Sequence, residues 1–256
     1  MPIRYLLDHW IGDENMCGIV AVLGQKLLPS REAVGRGLDS IHHRGPDASR
    51  IWTSDGGRAI LGHKRLSILD LNTGDQPLAN EDETLHVVVN GELYGFEDIR
   101  RDLEARGHRF RTQSDSEIVL HLYEEYGPAC VSHLRGEFAF VLWDENKKTL
   151  FAARDRFGIK PLFYSQSNGQ LAFASEVKAL HATGIEAGWR EAGFMQMLGL
   201  HNSITGKSQF GDENALSLLR KATFLETSAG SAGAADILTY AETELTSESY
   251  RNWLAS

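Results

Sequence analysis

Between residues 17 and 185 one pattern recurs: short apolar segments rich in β-branched and aromatic side chains, closed by compact turns. CGIVAVLG (17–24), AILGH (59–63), LHVVVNG (85–91), FAFVLWD (138–144), TLFAAR (149–154), PLFYS (161–165) and LAFAS (171–175) read as strands. Such side chains suit a pleated, half-buried surface. SNGQ (167–170) is a turn signal between the last two. Helices fit REAVGRGLDSIHH (31–43), FEDIRRDLEARG (96–107) and SEIVLHLYEEYG (116–127), where apolar residues return at three- and four-residue steps. Ser114 or Asp115 caps the third, with Glu117 in its first turn. Strands outnumber helices, and the later ones run as hairpins. An α+β chain of antiparallel sheets packed face to face, with helices over the outer faces, satisfies both facts.

The flanks differ in texture. Residues 1–16 read as a short extension, and 186–256 as a divergent segment with a flexible linker at SAGSAGAAD (228–236). The stretch 236–256 reads as a short helix or as unstructured chain. A formal net charge of -9 argues against a nucleic-acid binder. No apolar run reaches the ~20 residues of a membrane span, and MPIRYLLDHW is too polar for a signal peptide. Two cysteines make no disulfide framework, so a reducing, cytoplasmic location is expected. Cys130, in the helix-like YGPACVSHL, reads as a small buried hydrophobe.

Cys17 has a different setting. It follows Met16 and opens the apolar run MCGIVAVLG. If Cys17 became the first residue, it would carry a thiol and a free α-amine with an ordinary pKa near ~8, a built-in general base. A buried cysteine opening a core strand fits this segment equally well. Taken singly, other candidates also have plain readings: Arg65 and Asp115 as surface charges, Asn90-Gly91 as a hairpin turn.

HRGPD (43–47), HKRLSILD (63–70), VVVNGELY (87–94), SDSEIVL (114–120) and RDRFGIKPLFY (154–164) follow MCGI in order. With these motifs the chain resembles the glutaminase domain of glutamine-hydrolysing asparagine synthetases, class II amidotransferases of the N-terminal-nucleophile (Ntn) type, from Met16 to about Leu180. The resemblance implies an Ntn-hydrolase fold, a four-layer αββα sandwich of two antiparallel sheets. It also implies roles. Cys17 attacks the glutamine amide, while the Asn90 side-chain amide and the Gly91 N–H form the oxyanion hole. Arg65 holds the substrate carboxylate through paired charge-assisted hydrogen bonds, and Asp115 takes the ammonium. Leu66, Ser67, Ile68 and Leu69 line the pocket through their backbone, and Glu92 stands beside the substrate. Arg154, Asp155 and Lys160 match a family motif and are assigned structural or interface roles. No metal is expected: His42, His43 and His63 match no zinc-ligand spacing.

Three departures from the family pattern qualify this. Residues 1–16 precede Cys17, so turnover requires initiation at Met16 or removal of the extension. Gly95 stands where the family usually has Asn, which weakens support of the oxyanion loop. The family's Ser-Gly-Gly-x-Asp-Ser pyrophosphate loop is missing from the chain, so no ATP site is expected and glutamine hydrolysis needs no cofactor. The expected activity is glutaminase, with L-glutamine as ligand and a separate synthetase or other ammonia acceptor as partner for asparagine or a related amide. The alternative is a catalytically silent module that binds glutamine or a protein.

Overall fold

The computed structural model describes residues 16–24, 28–66, 74–167 and 169–185, and the backbone of short strands at 216–217, 225–228 and 239–240. One sheet contains β1 (Gly18–Gly24), β2 (Ala48–Thr53), β3 (Ala59–Arg65), β8 (Phe163–Ser167), β9 (Gln170–Ala174) and β10 (Leu216–Ser217), in the order β10-β8-β9-β1-β3-β2. The other contains β4 (Leu78–Ala79), β5 (Leu85–Leu93), β6 (Gly136–Asp144), β7 (Thr149–Arg154), β11 (Leu225–Ser228) and β12 (Thr239–Tyr240), in the order β12-β11-β7-β6-β5-β4. Each pairing is antiparallel.

Side-chain alternation builds four layers from these strands. Ile19, Ala21 and Leu23 of β1 meet Val88 of β5 and Ala139, Val141 and Trp143 of β6 in a core between the sheets. The intervening Val20 and Val22 face the helices α1 (Arg31–Ser40) and α4 (Val177–Ala182), against Val34, Leu38 and Leu180. On the far side, Val87, Val89, Phe138 and Phe140 pack on α2 (Phe96–Ala105) and α3 (Ile118–Tyr126) through Leu103, Ile118, Val119 and Leu122. The expected αββα sandwich is the observed architecture.

Local chemistry sets the helix ends. Ser30 caps α1 by accepting from the Ala33 N–H, and Glu32 lies in its first turn. The expected helix over 31–43 stops at Ser40 and continues as a 3₁₀ turn, His42–Arg44. The expected helix over 116–127 divides likewise: Ser114 caps a 3₁₀ turn, Asp115–Glu117, before α3 begins. Cys130 lies in a further 3₁₀ segment, Gly127–His133, and burial pushes its thiol up to about 12. Strands β2 and β4 have no counterpart in the sequence reading. The edge strand β2 leaves Ser49 and Arg50 exposed, and β4 is two residues long. Apart from Ser228, which ends β11, the linker read at 228–236 lies outside the described residues. Thr239–Tyr240 form β12 within the stretch read as helix or unstructured chain.

Candidate active site

The parity that builds the inter-sheet core also builds a cleft at one end of it. Ile19 and Ala21 point between the sheets, so Cys17 points the same way. Leu61 places His63 and Arg65 inward, and Val88 does so for Asn90. The β1–β3 register pairs Gly18 with Lys64, and its continuation sets Cys17 beside Arg65. Cys17, His63, Arg65, Leu66, Asn90, Gly91, Glu92 and Asp115 all line one open cleft of about 660 Å³. Ser67, Ile68 and Leu69 lie outside the described residues.

The Cys17 thiol sits against the Leu66 backbone, with the Leu66 nitrogen 3.4 Å from Sγ. Burial raises its pKa, while the Leu66 N–H and the charges of Arg65 and Arg44 oppose that rise. Arg44 donates from Nε to the Cys17 carbonyl at 3.2 Å and from Nη1 to Glu176 Oε1 at 3.2 Å. Met16 is buried in the cleft wall, where its sulfur accepts from Lys160 Nζ at 3.0 Å.

Asn90 and Gly91 form no hairpin turn; they lie within β5, opposite Ala139 and Phe138. Asn90 is 1% exposed, and its Nδ2 has no hydrogen-bond partner among the described residues. A buried amide donor left unpaired costs about 1–3 kcal/mol, so its place on the cleft wall marks a position for an acceptor. Gly91 has φ +150°, and a Cβ there would lie 2.1 Å from the Glu137 carbonyl oxygen. Only glycine allows β5 so close to β6 at this point.

Asp115 and Arg65 are buried rather than surface charges, at 7% and 6% exposure. Asp115 Oδ2 accepts from the Leu93 N–H at 2.7 Å. Burial raises the carboxyl's pKa, and the Leu93 hydrogen bond opposes it. Arg65 pairs through Nη1 with Asp75 Oδ1, which shares its carboxylate with Arg50. Glu92 is exposed at the rim.

Three side chains matter beyond the expected set. Gln76 acts as a surrogate strand partner for Val89, accepting from its N–H at 2.5 Å and donating to its carbonyl at 3.1 Å. Only its place before Pro77 sets Gln76 apart in the sequence, and the Gln76-Pro77 bond is cis. His63 Nε2 reaches the same carbonyl at 3.1 Å, and burial lowers its pKa to about 4, so the ring is neutral. Lys160, read as structural or interfacial, lines the cleft and pairs with Glu137 at 3.3 Å. Its neighbour Asp155 shapes the loop by accepting from the N–H groups of Phe157, Ile159 and Lys160. Gly95, with φ +68°, precedes α2 outside the cleft lining. Asn tolerates that left-handed conformation better than most residues, so glycine in its place preserves the turn while lacking the side-chain amide.

Residues 16–232 match the family described as "Glutamine amidotransferase domain". The chain belongs to that family. This amidotransferase domain is 42% identical over 195 residues to "Asparagine synthetase [glutamine-hydrolyzing] 3" of Bacillus subtilis (strain 168), covering 74% of this chain and 31% of that protein. It is 51% identical over 186 residues to "Amidase chry2" of Gibberella zeae, covering 68% and 28%. The chain thus spans less than a third of these relatives. Among solved structures, the B. subtilis glutamine phosphoribosylpyrophosphate amidotransferase matches with a TM-score of 0.61 at 21% identity, over 83% of this chain and 47% of that one. That likeness gives the fold, an Ntn-type amidotransferase sandwich. Among the described residues no helix is long and apolar enough to cross a membrane.

Proposed function

We propose that this domain hydrolyses L-glutamine to glutamate and ammonia, with Cys17 as the nucleophile once Met16 has been removed. The observation that carries the reading is the convergence on one cleft of a thiol, a buried arginine, a buried carboxylate and the Asn90 Nδ2, which has no hydrogen-bond partner among the described residues. Arg65 takes the substrate carboxylate and Asp115 its ammonium, which fixes the side-chain amide against Cys17. The freed α-amine of Cys17 removes the thiol proton, and sulfur bonds to the amide carbon. The oxyanion accepts from Asn90 Nδ2 and the Gly91 N–H, a preorganised pair. The C–N bond then breaks, ammonia leaves with the proton, and water cleaves the thioester to release glutamate. No metal or organic cofactor enters this half-reaction. The ammonia goes to a separate synthetase-type acceptor for asparagine or a related amide. Relatives named as synthetases and as amidases both match this region.

A second reading has its own observation. Met16 is buried in the cleft wall beside Cys17, and while it stays attached the Cys17 nitrogen is an amide with no basic lone pair. A chain retaining Met16 is therefore a glutamine-binding module without turnover. Glutamate release from chains beginning at Cys17 and at Met16, and from a Cys17→Ala variant of the first, separates the readings. Release only by the intact Cys17-first chain is expected. Equal rates in the Cys17→Ala variant would remove the thiol from the mechanism.

A further inference from the structure

Away from the glutamine cleft, four side chains from three segments converge on one point. Glu81 comes from the turn between β4 and β5, His108 from the loop after α2, and His121 with Glu124 from α3. One potential ligand atom from each lies within 4.8 Å of all the others. Glu124 Oε2 is 2.8 Å from His121 Nδ1 and 3.3 Å from His108 Nδ1, and Glu81 Oε2 is 3.8 Å from His121 Nδ1. Tetrahedral ligands at zinc bond lengths stand about 3.3–3.5 Å apart, so these separations bracket the required spacing.

Simple ion pairing accounts for the contact of His121 with Glu124. The outward atoms face partners of their own. His108 Nε2 faces Glu125 Oε1 at 3.0 Å, which keeps the proton there and leaves the Nδ1 lone pair toward the cluster. His121 is completely buried, with its Nε2 3.7 Å from Glu117 Oε1. Glu124 Oε1 accepts from Asn80 Nδ2 at 2.8 Å, and Glu81 Oε1 from the Arg109 N–H at 2.7 Å. On His108, Glu124 and Glu81 the inward atom is thus aimed by a hydrogen bond to the residue's other polar atom, as metal-binding histidines and carboxylates are oriented. Two imidazoles and two carboxylates form a borderline donor set that suits Zn²⁺ over Ca²⁺ or Mg²⁺.

We propose that Glu81, His108, His121 and Glu124 form a Zn²⁺-type site. The bound ion would clip the β4–β5 turn and the α2 loop to α3, whose preceding turn carries Asp115. It would be a structural site beside the amidotransferase cleft, independent of whether glutamine is hydrolysed.

The test uses the full chain, stripped with chelator, loaded with Zn²⁺ and desalted before metal analysis. One tightly held ion per chain is expected, and the Cys17→Ser variant should retain it. The Glu81→Gln/His108→Ala double variant should bind Zn²⁺ at least about tenfold more weakly. Circular dichroism checks that it folds. Should it fail to fold, Co²⁺ added to the wild-type chain still decides: visible bands of a tetrahedral nitrogen–oxygen site, without a thiolate charge-transfer band, are expected. Three outcomes would each overturn the proposal: a wild-type chain that holds no more Zn²⁺ than the folded double variant, loss of the ion in Cys17→Ser, or an octahedral cobalt spectrum.

Discussion

Asn90 and Asp115 are both buried polar groups on the cleft wall: Asn90 Nδ2 has no hydrogen-bond partner among the described residues, and burial raises the pKa of Asp115. Asn90→Ala is expected to lower kcat about 10²- to 10³-fold, the ~2.7–4 kcal/mol measured for comparable oxyanion donors. Its thermal stability should hold or rise, because an unpaired donor is removed. A matching loss of stability would mean that Asn90 is a structural residue. Asp115 sharpens the contrast through pH. Its folded pKa lies above the ordinary unfolded value near ~3.9. Between those values the folded state binds more protons than the unfolded one, so stability falls as pH rises through that window, and the deficit persists at higher pH. Asp115→Asn keeps an acceptor for the Leu93 N–H and should melt higher than the parent at pH 7, with the gain vanishing below about pH 3.9. The same change should weaken glutamine by ~2–5 kcal/mol, at least about 30-fold in KM. A variant that melts lower at pH 7 with KM unchanged would contradict both halves.

At the scale of elements, the approach of β5 to β6 sets the position of the proposed oxyanion donors. Gly91→Ala puts a methyl group 2.1 Å from the Glu137 carbonyl oxygen, so β5 must move. A destabilisation of about 1–3 kcal/mol is expected from such overpacking, read as a lower urea midpoint, together with reduced kcat. An unchanged midpoint would show that the strands part freely there. The same elements show what could be read in advance. Continuous apolar runs such as FAFVLWD are visible because both faces of β6 are buried, whereas β2 exposes Ser49 and Arg50 and β4 is only two residues long. Cys17, Arg65, Asn90 and Asp115 were legible because their motifs came as a series. Gln76 was not: its role arises from standing in for a strand opposite Val89, and local sequence carries no sign of that pairing. The Glu81–His108–His121–Glu124 cluster was hidden for a related reason. Three loop and helix segments assemble it, and no fixed ligand spacing runs along the chain.

For the whole molecule, ligand binding and folding are linked. In a Cys17→Ala chain, which binds without turnover, glutamine at 100 times its Kd should stabilise the fold by about 2.7 kcal/mol. Thermal unfolding should register that rise, and Arg65→Ala in the same background should lose most of it. A shift of equal size in both would place the ligand elsewhere. One earlier feature bears on the order in which the molecule is made. Ile19 is fastened at its N–H by Ser175 Oγ, and Arg44, which grips the Cys17 carbonyl, is held by Glu176. The segment carrying the thiol is among the first of the domain to leave the ribosome, yet its anchors follow more than a hundred residues later. Closing so long a loop is slow compared with local helix or hairpin formation. A nascent chain therefore cannot complete the thiol's surroundings until β9 and the residues just after it have been synthesised and have docked. The proposed ammonia release would then begin as a late event in folding, even though its proposed nucleophile is translated early.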